Sequence, residues 1–202
     1  MTSWKAAARV LVPAADSKAA LRAALEGRRR AVPPARRALE EELVQAAVQA
    51  TPEWQAARTV LLYRAFGAEL SVVGLTLAAW RQGKRTVFPR VAGDEILLHA
   101  VSSWGDLRPS PMGMQEPSAN APTVAARDVD LAIIPGLGFS STGARLGRGG
   151  GHYDRLLPVL RVAWGVAFDC QIVPAVPIQP HDRPVQRVFA ASIIQSGRDG
   201  QT

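Results

Sequence analysis

The chain has 202 residues, 48% of them hydrophobic, which is enough for one substantial core in a single domain over 1–202. No apolar run is long enough to span a bilayer, and Lys5 and Arg9 precede no sustained apolar stretch, so neither a membrane span nor a signal peptide is expected. The formal net charge is +7, and all but three of the 24 basic residues are arginine. They are spread along the chain except at Arg28-Arg29-Arg30 and Arg36-Arg37, with no aromatic interleaving and no zinc or helix-turn-helix signal. That pattern argues against a nucleic-acid partner and for a positive field that attracts anionic ligands. The single cysteine, Cys170, excludes a disulfide within the chain and reads as a small buried hydrophobe, consistent with a cytoplasmic protein.

In chain order, residues 16–30 read as a helix that Asp16 can cap, filled by Ala19, Leu21, Ala23 and Leu25. Pro33 and Pro34 start a second helix to about Ala50, with Leu39, Leu43, Ala46 and Ala47 on one face. Thr59–Tyr63 reads as a buried strand, Leu70–Arg81 as a helix, Thr86–Phe88 and Glu95–Val101 as strands. His99 has no partner at metal-ligand spacing and is expected on a strand surface. Residues 105–127 are rich in Pro, Ser and Gly and read as a long loop. Leu131–Ile134, Arg161–Phe168 and Val188–Ala190 complete the strands, and residues 1–14 and 195–202 are expected to be flexible ends. Alternation of apolar runs and amphipathic helices predicts an α/β, three-layer domain with a mostly parallel sheet flanked by helices.

Between Leu131–Ile134 and the next helical pattern lies PGLGFSSTGARLGRGGGHYDR. Glycines 147, 149, 150 and 151 let a backbone approach phosphate oxygens, and Arg145 and Arg148 can add bidentate contacts. A helix opening at His152 would add its dipole, and Asp154 in its first turn is placed for Mg²⁺. The stretch is neither a Walker A loop nor a Rossmann fingerprint. Composition alone leaves two readings open, a phosphate cradle and an ordinary basic surface connection.

RLGRGGGHYDR behind PGLGF resembles the signature of the 5-formyltetrahydrofolate cyclo-ligase family. Lys18 and Arg22 resemble its early K-x-x-x-R, and Tyr63 and Glu69 its Y-x-x-x-x-x-E. Gly83, Lys84 and Pro89 are similar to its GK…P element. Trp104 with Gly113-Met114-Gln115-Glu116-Pro117 is similar to its W…G-I-x-E-P, and His181-Asp182 to its late P-H-D. The motifs stand in the family's order along all but the two ends of the chain.

The resemblance implies ATP- and Mg²⁺-dependent closure of 5-formyltetrahydrofolate to 5,10-methenyltetrahydrofolate, with ADP and phosphate released. It assigns Lys18, Arg22, Arg145, Leu146, Gly147, Arg148, Gly149, Gly150, Gly151, His152 and Tyr153 to ATP, with Arg148 and Tyr153 catalytic. Arg64, Glu69 and Trp104 are assigned to the folate, and Asp154 and Asp182 to Mg²⁺. A monomer or weak dimer acting on small molecules is expected. The departures are His152 for a tyrosine, Gly150 for the lysine of some members, Gln186 for an acid, and Arg64 and Val72 for an apolar residue and a threonine. A non-catalytic folate- or nucleotide-binding relative and a basic nucleic-acid-binding module are the alternative readings.

Overall fold

Alternating apolar runs and amphipathic stretches pair here as their periods require. The computed structural model describes residues 18–111, 113–180 and 182–199, so Asp16, His181 and the end at 1–14 lie outside it. Helix α1 (Lys18–Arg30) leads to α2 (Pro34–Gln49), with proline in its first turn, where the missing N–H costs nothing. Short α3 (Pro52–Ala56) is capped by Thr51, whose hydroxyl accepts the Trp54 N–H at 3.2 Å. Then come β1 (Thr59–Leu61), α4 (Val73–Arg81), β2 (Arg85–Ala92), β3 (Glu95–Ala100), β4 (Leu107–Pro109), β5 (Gln115–Pro117) and β6 (Leu131–Ile134). The chain ends through β7 (Gly138–Phe139), β8 (Arg145–Leu146), α5 (His152–Leu156), β9 (Ala163–Val166), β10 (Arg187–Phe189) and α6 (Ala191–Asp199).

The main sheet has six strands in the order β10-β9-β6-β1-β2-β3. Every pairing in it is parallel except the β2–β3 hairpin. Its central strands β6 and β9 are buried on both faces, and the period of two splits the sheet's side chains between two cores. Val60, Leu131, Ile133, Trp164 and Phe189 pack with Val44, Val48 and Leu75 of α2 and α4. Leu61, Ala132, Ile134, Val87 and Val188 pack on the other side with Leu156, Leu157 and Leu160. This is the expected three-layer α/β arrangement. Among the described residues no helix is long and apolar enough to cross a membrane.

Five local expectations change. The inward face of α2 is Glu40, Val44 and Val48, and Leu39 is 57% exposed. Glu40 can face inward because one carboxylate oxygen accepts from Arg36 and the other from the Asp169 N–H at 2.8 Å. On α1 the inward face is Lys18, Arg22, Leu25 and Arg29, while Ala19 and Ala23 are exposed. His99 is buried, not on the surface: segment 118–124 pairs antiparallel along β3, and the Ala121 carbonyl lies 2.8 Å from Nδ1. Residues 105–127 contain the antiparallel β4–β5 pair, whose three-residue strands are too short to register as a pattern. Residues 195–199, expected in a flexible end, belong to α6.

One backbone contact positions the β7–β8 hairpin. Gly143 has φ +87°, and a Cβ there would stand 2.1 Å from the Val185 carbonyl oxygen. The Val185 N–H in turn donates to the Gly143 carbonyl at 2.9 Å. Gly143→Ala is therefore expected to destabilise the protein by about 2 kcal/mol or more, read as a lower denaturant midpoint at unchanged slope.

Candidate active site

The site is built outside the carboxyl ends of β1 and β6, where parallel sheets offer loop-lined crevices. After β6 the chain folds back as the β7–β8 hairpin, with the Leu137 N–H on the Leu146 carbonyl at 2.8 Å and the Ser140 N–H on the Ala144 carbonyl at 2.9 Å. Residues 138–146 of the expected glycine-rich loop thus form an ordered hairpin. Leu25 of α1 packs against the hairpin with Leu137, Leu146, Val173 and Val176. Burying such a leucine contributes about 1.5–3 kcal/mol, and it lays the cationic face of α1 along the loop. The Leu146 side chain serves that clamp.

Arg22 Nε donates to the Gly147 carbonyl at 2.9 Å. Gly149, at φ +112°, passes so close that a Cβ would lie 3.6 Å from the Arg22 guanidinium carbon. Lys18 Nζ pairs with the Asp182 carboxylate and donates to Gln179 Oε1 at 3.2 Å. Arg145 is buried, with Nη2 3.0 Å from Asp154 Oδ1 and the guanidinium 5.4 Å from the Tyr153 ring centroid. Its Nε has no hydrogen-bond partner among the described residues. Burial, reinforced by Glu69 and opposed by Arg145, pushes the Tyr153 phenol well above its usual range, so it remains a neutral donor.

Glu69 joins this cluster from the turn after β1. Its Oε2 accepts the Phe66 N–H at 3.0 Å, and its Oε1 receives Arg148 Nη2 at 3.1 Å and Nε at 3.3 Å. Arg148 also lies over the Phe66 ring, 5.7 Å from its centroid. Nearby, the Arg64 guanidinium lies 4.9 Å from the Trp104 ring centroid. Trp104 meets Trp80 edge-on at 4.8 Å, so it is both core residue and wall. His152 reaches the Gly93 carbonyl at 3.3 Å.

Arg22, Gly147, Gly149, Arg148, Glu69, Tyr153, Arg145 and Asp154 therefore form one connected cluster, with Lys18–Asp182 at the far end of the α1 face. One physical expectation fails. Helix α5 has only five residues before the one-turn 3₁₀ helix that contains Pro158, so its dipole is small and the arginines and loop amides must carry any anion binding. Among the described residues no three His, Cys, Asp or Glu side chains converge as a metal cage. Asp154 beside a phosphate-type loop still suits Mg²⁺, which takes one or two carboxylates and leaves its other positions to phosphates and waters.

Sequence reasoning missed Phe66, Arg155 and Arg29. Arg155 closes the motif and ties the Gly150 carbonyl at 3.1 Å and the Asp94 carbonyl to α5. Phe66 stands between the matched Tyr63 and Glu69, and Arg29 continues the inward spacing of Lys18 and Arg22. Lys84, by contrast, is structural: its ammonium donates to the carbonyls of Trp54, Gln55 and Ala57 at the end of α3. It also borders an open cleft of about 670 Å³ that shares no residue with the cluster.

A profile of the 5-formyltetrahydrofolate cyclo-ligase family matches residues 14–191. The 5-formyltetrahydrofolate cyclo-ligase of Mycolicibacterium smegmatis is 31% identical over 182 residues, covering 86% of this chain and 93% of that protein. The Escherichia coli K12 enzyme of the same name is 31% identical over 185 residues, covering 82% and 95%. The NMR structure of Aquifex aeolicus 5,10-methenyltetrahydrofolate synthetase superposes with a TM-score of 0.74 at 32% identity, covering 85% of this chain and 88% of that one. Agreement of sequence and fold over this much of the chain means that it belongs to the 5-formyltetrahydrofolate cyclo-ligase family.

Proposed function

We propose that the protein converts 5-formyltetrahydrofolate to 5,10-methenyltetrahydrofolate, with ATP as co-substrate and Mg²⁺ as cofactor. The observation that carries this reading is the Arg148–Glu69 contact, which joins a phosphate-type loop to a carboxylate suited to the polar edge of a pterin. A formamide oxygen is a poor leaving group. Its attack on the γ-phosphorus of ATP expels ADP and gives an iminium phosphate. N10 then attacks the activated carbon, the C–O bond to phosphate breaks, and the N10 proton leaves.

The protein's task in this reaction is alignment, charge neutralisation and exclusion of water. Lys18, Arg22, Arg145, Arg148 and the backbone from Leu146 to His152 hold the phosphates, with Arg148 nearest the transferring group. Tyr153, held neutral, donates a hydrogen bond where nucleotide and folate meet. Glu69 orients the pterin, and Arg64 and Trp104 form its wall. Asp154, with Asp182 second, holds Mg²⁺, which would screen phosphate charge. Family membership supports ATP and folate as the substrates, and we take the protein to be a cytoplasmic monomer or weak dimer with no nucleic-acid partner.

The test is the absorbance of the methenyl product from purified protein, Mg²⁺ and 5-formyltetrahydrofolate, with and without ATP. Product only with ATP supports the proposal; ATP binding without product indicates a binding-only protein; neither points to another ligand class, nucleic acid first. Asp154→Ala is expected to lower kcat about a hundredfold and flatten its Mg²⁺ dependence while circular dichroism stays unchanged. Unaltered Mg²⁺ dependence would remove Asp154 from the metal site. Arg148→Ala, losing charge-assisted bonds of about 1.5–3 kcal/mol, should raise the KM for ATP roughly ten- to hundredfold and that for folate less. Equal changes in both would mean that Arg148 orders the whole site.

A further inference from the structure

Arg29 lies on the same face of α1 as Lys18, Arg22 and Leu25, and only 1% of it is exposed. Its Nε has no hydrogen-bond partner, and it stands in no salt bridge among the described residues. Its place is set by Arg37 of α2. Arg37 Nη2 donates to the Arg29 carbonyl at 2.8 Å and Nη1 to the Ala68 carbonyl at 3.1 Å. That staple fastens the end of α1 to the residue preceding Glu69. The charge of Glu69 favours the buried guanidinium and that of Arg148 opposes it. Burial lowers its pKa, yet an arginine stays charged inside a protein. A buried cation without an ion-pair partner weakens the fold, and an apolar side chain of similar volume is often neutral or stabilising in its place. A charge held at such a cost beneath a carboxylate proposed to bind substrate is a candidate for function.

We propose that Arg29 is a positioning residue for folate recognition, the standing counter-charge of Glu69 when Arg148 turns to the phosphates of ATP. The inference rests on the cyclo-ligase reading. Arg148 is the more accessible partner: its side chain is 46% exposed, whereas that of Glu69 is 12% exposed. The Phe66 N–H fixes one carboxylate oxygen whether or not Arg148 is present. When Arg148 moves, Arg29 beneath the turn supplies the positive potential that keeps the carboxylate oriented. ATP then frees Glu69 for the pterin without leaving it unsupported.

The experiment compares wild-type protein with Arg29→Met and Arg29→Lys in thermal unfolding and in steady-state turnover. For Arg29→Met the unfolding midpoint should be unchanged or higher, and the KM for 5-formyltetrahydrofolate should rise about tenfold, one lost charge interaction at intermediate dielectric. The KM for ATP should stay within about twofold, and Arg29→Lys should recover most of the folate KM. An unchanged folate KM overturns the proposal, and so does a parallel rise in both KM values with a lower midpoint, which would make Arg29 structural. If Arg29→Met does not fold, Arg29→Gln carries the same comparison. Absence of turnover by the wild-type protein removes the cyclo-ligase reading and this proposal together; turnover with an unchanged folate KM in the variants removes the proposal alone.

Discussion

The part-buried pair between Arg145 and Asp154 ties the β7–β8 hairpin to α5, and the loop between them takes its shape from that tie. With both ends held, only residues 147–151 have to bridge, and Arg22 and Arg155 anchor that span through the Gly147 and Gly150 carbonyls. The same pair stacks Arg145 against Tyr153 and turns Asp154 toward the loop. An ion pair whose carboxylate still meets water adds little net stability. The pair is thus better understood as a device of geometry than of stability.

The hairpin itself depends on two close approaches. Gly143 lies against the Val185 carbonyl, and Gly165 of β9 faces the Phe139 ring, where a Cβ would fall 2.5 Å from a ring carbon. Phe139 is fully buried and docks the hairpin on the sheet. Leu25 then docks α1 on the hairpin. Sheet, hairpin and helix stack in that order, and each step uses apolar contact to place charged groups at the next.

The sheet and its order of elements could be read from the chain because Val60–Leu62, Leu131–Ile134 and Ala163–Val166 are continuous apolar runs between amphipathic stretches. The site's main parts could be read because they lie in motifs, above all residues 145–155. Polar residues that face inward could not. Glu40 displaces the apparent apolar face of α2, and Arg29 looks like one more member of a solvated arginine cluster. His99 looks like a strand-surface residue until segment 118–124 covers it. Periodicity assigns such residues to water, and only tertiary partners reverse the assignment. The shortness of α5 was readable in Pro158 and was missed.

The excess of positive charge gains a specific meaning from the pairings. Three of the cations proposed for phosphate each stand with a carboxylate: Lys18 with Asp182, Arg145 with Asp154 and Arg148 with Glu69. Binding a polyanion there is exchange, not simple addition. Each released carboxylate must find a new role, and in the proposed reaction two of them become Mg²⁺ ligands and one receives the pterin. A simple anion that frees a carboxylate without giving it a partner loses much of what it gains. Only a ligand set that brings phosphates, a divalent cation and a hydrogen-bonding ring together satisfies all three pairs at once. On this view the site's selectivity lies in the carboxylates more than in the arginines.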